Sequence, residues 1–100
     1  MKRVVYARRG GLEAIQIIDE DSPDPTDGQV RIEVHRAGIN FADLMMRQGL
    51  YGAAPDFPFT PGYEISGTIS EIGGNVSDFS VGDRVVALPG FGGYAEQVVV

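Results

Sequence analysis

A small, mostly β fold, either barrel or sandwich, with one short helix is what this sequence predicts. The 100 residues contain several short runs of strand composition, and the 14 glycines and 6 prolines fall mostly between those runs. Only one stretch has the composition of a helix. The length suits one hydrophobic core but is too short for that core plus a complete nucleotide-binding fold, and no internal repeat is visible.

Val4 and Tyr6 alternate with Val5 and Ala7, Gly10-Gly11 interrupts, and Glu13 to Asp19 is a second run rich in isoleucine, so an opening hairpin is expected. From Asp19 to Gly28 the chain has two prolines and no apolar period, which makes it an exposed acidic loop. A calcium-loop reading fails on spacing. Counting from Asp19, the sixth position is Asp24 where glycine is required, and the twelfth is Val30 where glutamate is required.

Gln29 to Ala37 alternates cleanly, with Val30, Ile32 and Val34 on one face and Arg31, Glu33 and His35 on the other, as in a half-buried strand. Asn40 is then an N-cap candidate before the helix formers Phe41 to Gln48, and Gly49 supplies a stop. Tyr51 to Gly62 carries Pro55, Pro58 and Pro61, which favours an ordered, extended loop. Glu64 to Gly74 resumes strand character. Ile65 and Ile69 share a phase that Ile72 leaves, so a bulge or bend is expected near Gly67 or Ser70. Asp83 to Leu88 and Tyr94 to Val100 predict two more strands. The chain ends inside the last of these apolar runs, and a domain cut short is the expectation.

Composition narrows the function classes. Hydrophobic residues make up 43% and charged residues 22%, which is ordinary for a folded protein, and no apolar run approaches membrane-spanning length. No signal-peptide stretch follows the basic N-terminus, so a cytoplasmic location is expected. A net charge of -6 gives the wrong long-range field for nucleic acid. The absence of cysteine removes disulfides, thiol nucleophiles and thiolate-bound zinc. The single histidine, His35, lies on the polar side of a strand with no ligand partner nearby in sequence.

Gly90-Phe91-Gly92-Gly93-Tyr94-Ala95 has the letters of a dinucleotide loop, but a strand rather than a helix follows it, so a hairpin turn is the expected reading. There is no Gly-x-Ser-x-Gly elbow. Asn40, Tyr51 and Glu64 remain, each beside glycines or prolines in the irregular middle of the chain, where functional groups tend to be held. Each also has a structural reading: Asn40 as a helix cap, Tyr51 packed with Phe57 and Phe59, and Glu64 paired with Arg47 or Arg84.

Several linked motifs carry a resemblance: Ala37-Gly38-Ile39-Asn40-Phe41-Ala42-Asp43, Met46-Arg47-Gln48-Gly49-Leu50-Tyr51 and Pro58-Phe59-Thr60-Pro61-Gly62-Tyr63-Glu64, continued by Gly82-Asp83-Arg84-Val85 and Gly93-Tyr94-Ala95-Glu96. Together they resemble the quinone-oxidoreductase branch of the medium-chain dehydrogenase/reductase superfamily, and especially the homologues of the synaptic-vesicle amine-transport membrane protein. The resemblance implies a chaperonin-10 (GroES)-like β-barrel over residues 1–100, followed in the parent by a Rossmann domain that this chain lacks. It also implies an NADPH-dependent, homo-oligomeric parent that reduces quinones or enones, with an enoyl reductase as the nearest variant. The isolated chain should then be inactive.

The zinc alcohol dehydrogenases of that superfamily place a cysteine where this chain has Asn40 and a histidine where it has Tyr63, next to the glutamate matching Glu64. The resemblance therefore implies a zinc-free member. In zinc-free reductases the residues matching Asn40 and Tyr51 lie near the nicotinamide, which carries both over as cofactor-binding residues and Tyr51 as catalytic. Met45 stands where several bacterial quinone reductases have a second tyrosine. Two alternatives belong to other classes: a non-catalytic GroES-like binding module, and a self-standing barrel that assembles through its edges.

Overall fold

The computed structural model describes residues 1–100. Strand β1 (Lys2–Tyr6) pairs antiparallel with β2 (Ile15–Asp19), as the hairpin reading expects, and a single 3-10 turn at Leu12–Ala14 bridges them. The second sheet has the order β5-β4-β3-β6, built from β3 (Val30–Ala37), β4 (Ile65–Ile72), β5 (Arg84–Ala87) and β6 (Gln97–Val99). The expected last strand is shorter than its apolar run, because Tyr94 to Glu96 turns toward β1 instead. Val4 N donates to Tyr94 O at 2.8 Å, Arg3 pairs with Ala95, and Glu96 N donates to Lys2 O at 3.0 Å. These bonds join the two sheets into one rolled ribbon whose edges are β2 and β5.

Two bulges set the roll. Arg31 faces Glu71 and Ile32 faces Ile69, leaving Ser70 extra on β4. Val34 faces Gly67 and Arg36 faces Ser66, leaving His35 extra on β3. An extra residue resets a period of two, so Ile72 rejoins the face of Ile69, and Ala37 rejoins that of Val34. The Ser70 bulge is the bend expected from sequence. The His35 bulge is a second one, in the strand whose alternation reads as unbroken. Arg31 pins the first: its Nε donates to Ser70 Oγ at 3.0 Å, while its guanidinium meets Glu71 at 2.9 Å and Asp24 of the acidic loop at 3.4 Å.

Val30, Ile32, Ile65, Ile69 and Val98 form the larger core cluster, fed by β3, β4 and β6. Fully burying an isoleucine stabilises by about 1.5–3 kcal/mol, so Ile32 and Ile69 anchor this layer. A smaller cluster of Tyr6, Met46 and Phe59 holds helix α1 (Phe41–Arg47) against β1 and the proline-rich loop. Tyr6 and Phe59 meet edge to face with ring centroids 5.6 Å apart. No helix is long and apolar enough to cross a membrane.

Candidate functional site

Helix α1 has seven residues; Asn40 is its N-cap, and Tyr51 lies four residues past its last residue, Arg47. At about 1.5 Å of rise per residue the two ends of the helix lie roughly 10 Å apart. The start is held by Asn40 and Asp43, three apart in the spacing of a capping box: Asp43 Oδ2 accepts from the Asn40 backbone N at 2.9 Å. The end is closed by Gly49 at φ 74, with Gly49 N donating to Met46 O at 3.1 Å and Leu50 N to Met45 O at 2.9 Å. That Schellman closure fixes where the chain departs toward Tyr51. Arg47 is tied to the β1–β2 turn through Gly10 at both its backbone carbonyl and its guanidinium.

Asn40 therefore occupies the N-cap position, and its side chain retains an unused group. Nδ2 is screened from solvent and has no acceptor in the chain. A buried donor left unpaired costs about 1–3 kcal/mol, so such a group calls for a partner that the chain itself does not supply. Tyr51 is exposed and forms no ring pair with Phe57 or Phe59, which pair with each other. Glu64 makes no ion pair with Arg47 or Arg84. Its carboxylate lies instead against Gly38, where a Cβ would fall 1.8 Å from Oε1, so glycine is required at 38 for Glu64 to lie there. Asn40 and Glu64 thus flank the same glycine, and Tyr51 stands apart beyond the far end of α1. Around them Ile39 is 80% exposed and Phe41 76%, with Leu44 and Leu50 also uncovered. Exposed apolar side chains of this kind are what a second protein layer or an apolar ligand covers.

Two further residues complete the site. Asp43 is only 1% exposed, and its Oδ2 also accepts from the Tyr94 hydroxyl at 2.5 Å, while Oδ1 has no partner. The same hydroxyl lies 3.1 Å from Gly38 O. Burial first, then Asp43 as acceptor and as charge, push the Tyr94 phenol well above its ordinary value of 10.0. Tyr6 donates to the Asp43 backbone O at 3.0 Å and is raised mainly by burial and secondarily by Asp43. Asp43 is foreshadowed by its spacing from Asn40. Tyr94 falls within the Gly93-Tyr94-Ala95-Glu96 motif, but in sequence it reads only as part of a turn.

The donors at this site do not suit zinc. Asn40 offers an amide and Tyr63 a phenol, in place of thiolate and imidazole, beside the carboxylate of Glu64. No group of three or more His, Cys, Asp or Glu side chains comes together in the chain. Asn40 Nδ2 lacks an acceptor, and the exposed Tyr51 phenol is free to donate. A separate open cavity of about 320 Å³ lies against β3, β4 and β5, lined by Val30, Ile32, Ile69, Phe79 and Val85, and includes neither Asn40 nor Tyr51.

Residues 26–100 match the family described as the alcohol dehydrogenase GroES-like domain. The human synaptic vesicle membrane protein VAT-1 homolog-like is 40% identical over 98 residues, covering 98% of this chain and 23% of the relative. Bovine quinone oxidoreductase-like protein 2 is 48% identical over 84 residues, covering 83% of this chain and 24% of the relative. Among solved structures, Escherichia coli quinone oxidoreductase complexed with NADPH superposes with a TM-score of 0.93 at 33% identity, over 100% of this chain and 31% of that one. The chain spans about a quarter of the length of these curated relatives. With motif, barrel and helix in agreement, the chain belongs to the alcohol dehydrogenase GroES-like domain family, on the quinone-oxidoreductase side of the medium-chain dehydrogenase/reductase superfamily.

Proposed function

We propose that this chain is the substrate-side domain of an NADPH-dependent quinone or enone reductase that transfers hydride without zinc, with the dinucleotide held by a Rossmann domain outside these 100 residues. The observation that carries this reading is the buried, unpartnered Asn40 Nδ2 beside the exposed apolar side chains of Phe41 and Leu44 on α1 and of Ile39 and Leu50 on either side of it. NADPH, when bound, supplies the hydride. Asn40 holds a hydroxyl or carboxamide at the nicotinamide end through Nδ2. Tyr51 donates its phenol hydrogen to the substrate carbonyl, stabilising the negative charge that develops on that oxygen. Ile39, Phe41 and Leu50 exclude water from the flat, apolar substrate. The parent is a cytoplasmic homo-oligomer in this reading.

The test is to express the full-length protein and follow NADPH consumption with a simple quinone and a simple enone, beside the 100-residue chain alone. Turnover by the full-length protein and none by the isolated chain is expected. Tyr51→Phe should lower kcat by about 10²-fold, the scale of a lost oxyanion donor, with a smaller change in KM. A full-length protein that binds NADPH without consuming it with any quinone or enone overturns the reductase reading and favours a non-catalytic binding module.

A further inference from the structure

The Asp43 carboxylate is shared between two parts of the fold. From α1, the Asn40 backbone N reaches Oδ2 at 2.9 Å, and from the turn before β6, the Tyr94 hydroxyl reaches the same oxygen at 2.5 Å. Tyr94 itself is fixed independently of α1. Its N donates to Pro61 O at 2.9 Å, its O accepts from Val4 N at 2.8 Å, and the preceding Gly93 N donates to Gly62 O at 2.8 Å. The phenol is thus mounted on the barrel wall and reaches 51 residues back along the chain to the start of the helix.

Two donors on one oxygen define the rotation of a carboxylate. With the Tyr94 hydroxyl gone, the buried Asp43 has only the Asn40 backbone bond, and its second oxygen, already without a partner, can turn into that place. The Asn40 backbone N then rests on a carboxylate free to turn, at the residue whose Nδ2 has no partner in the chain. We infer that Tyr94 is a positioning residue, which through Asp43 sets the side chain of Asn40 in the orientation that receives the polar group of the bound nucleotide. This inference rests on the assignment of Asn40 to the cofactor. It adds a residue that touches neither substrate nor nucleotide. Tyr94→Phe keeps the ring and removes only the bond, so it separates this role from packing.

The test compares full-length wild type, Asn40→Ala, Tyr94→Phe and the double variant, reading the NADPH dissociation constant by nicotinamide fluorescence and the quinone-dependent kcat and KM. Contacting residues that act as a unit are non-additive, so Tyr94→Phe is expected to weaken NADPH binding about tenfold alone and less than about twofold in the Asn40→Ala background. A Tyr94→Phe protein that binds NADPH as wild type does, or losses that multiply in the double variant, overturns the positioning role and leaves the reductase reading standing. Wild type that binds no NADPH overturns both together. If Tyr94→Phe fails to fold, fluorotyrosine at position 94 preserves ring and hydroxyl: its fluorine resonance should move on NADPH addition in wild type and stay in Asn40→Ala. A resonance unmoved by saturating NADPH in wild type overturns the inference.

Discussion

Asp43 takes both of its side-chain hydrogen bonds on one oxygen, in a position that is 1% exposed. Removing the charge-assisted bond from Tyr94 leaves a buried carboxylate short of a donor, so Tyr94→Phe should destabilise the protein by about 1–3 kcal/mol, read as a lower urea midpoint with an unchanged slope. The same pair gives an alkaline signature. Tyr94 holds its proton more tightly folded than unfolded, so its stabilisation is fully present below its ordinary pKa of 10.0 and is lost as pH rises above that value. Urea midpoints measured from about pH 9 to pH 11 should therefore fall more steeply for wild type than for Tyr94→Phe, with Tyr6 contributing the remaining slope in both. Asn40 and Tyr51 are legible as candidates because glycines and prolines mark the irregular middle of the chain. Tyr94 is not, since its surroundings read as a turn and its partner is distant in sequence.

The β3–β4 pair shows what a pattern of alternation can and cannot reveal. The change of phase between Ile69 and Ile72 exposes the Ser70 bulge, because apolar residues lie on both sides of it. The His35 bulge is hidden, because beyond it only Ala37 returns to the core, and alanine signals a face weakly. Gly67 sits opposite Val34, next to that hidden bulge, and a Cβ there would lie 2.0 Å from the Glu33 carbonyl oxygen and 2.7 Å from Ile32 Cγ2. Backbone cannot yield as a side-chain tip can, so Gly67→Ala should part the strands and cost about 1–3 kcal/mol or more. Gly52→Ala, where nothing lies within 4 Å, is the matched control and should leave the melting temperature nearly unchanged. Equal melting temperatures for the two variants would contradict the close approach of β3 and β4.

For the whole molecule, the barrel class follows from strand count and turn chemistry, while its roll depends on bonds between the first strand and the segment before the last, which no local pattern encodes. The ribbon has free edges at β2 and β5, and Val86 on β5 is 84% exposed close to the open apolar cavity it helps to line. An uncovered edge beside apolar surface favours pairing between copies. The isolated 100-residue chain should therefore sediment as concentration-dependent oligomers and enhance the fluorescence of an apolar dye, and Val86→Lys should reduce both. A strictly monomeric, dye-silent chain would show that this surface is self-sufficient.

The tie between Tyr94 and Asp43 also bears on the order in which the molecule is made. Synthesis delivers Asp43 and the rest of α1 first, and the phenol that completes the helix start arrives 51 residues later, together with the backbone partners of β1. Contacts of such long sequence separation are formed late and slow folding. During translation the nascent helix therefore carries Asp43 without its barrel-borne donor, and a ribosome-bound chain ending short of Tyr94 should be cut readily by protease within α1, whereas one extending past β6 should resist.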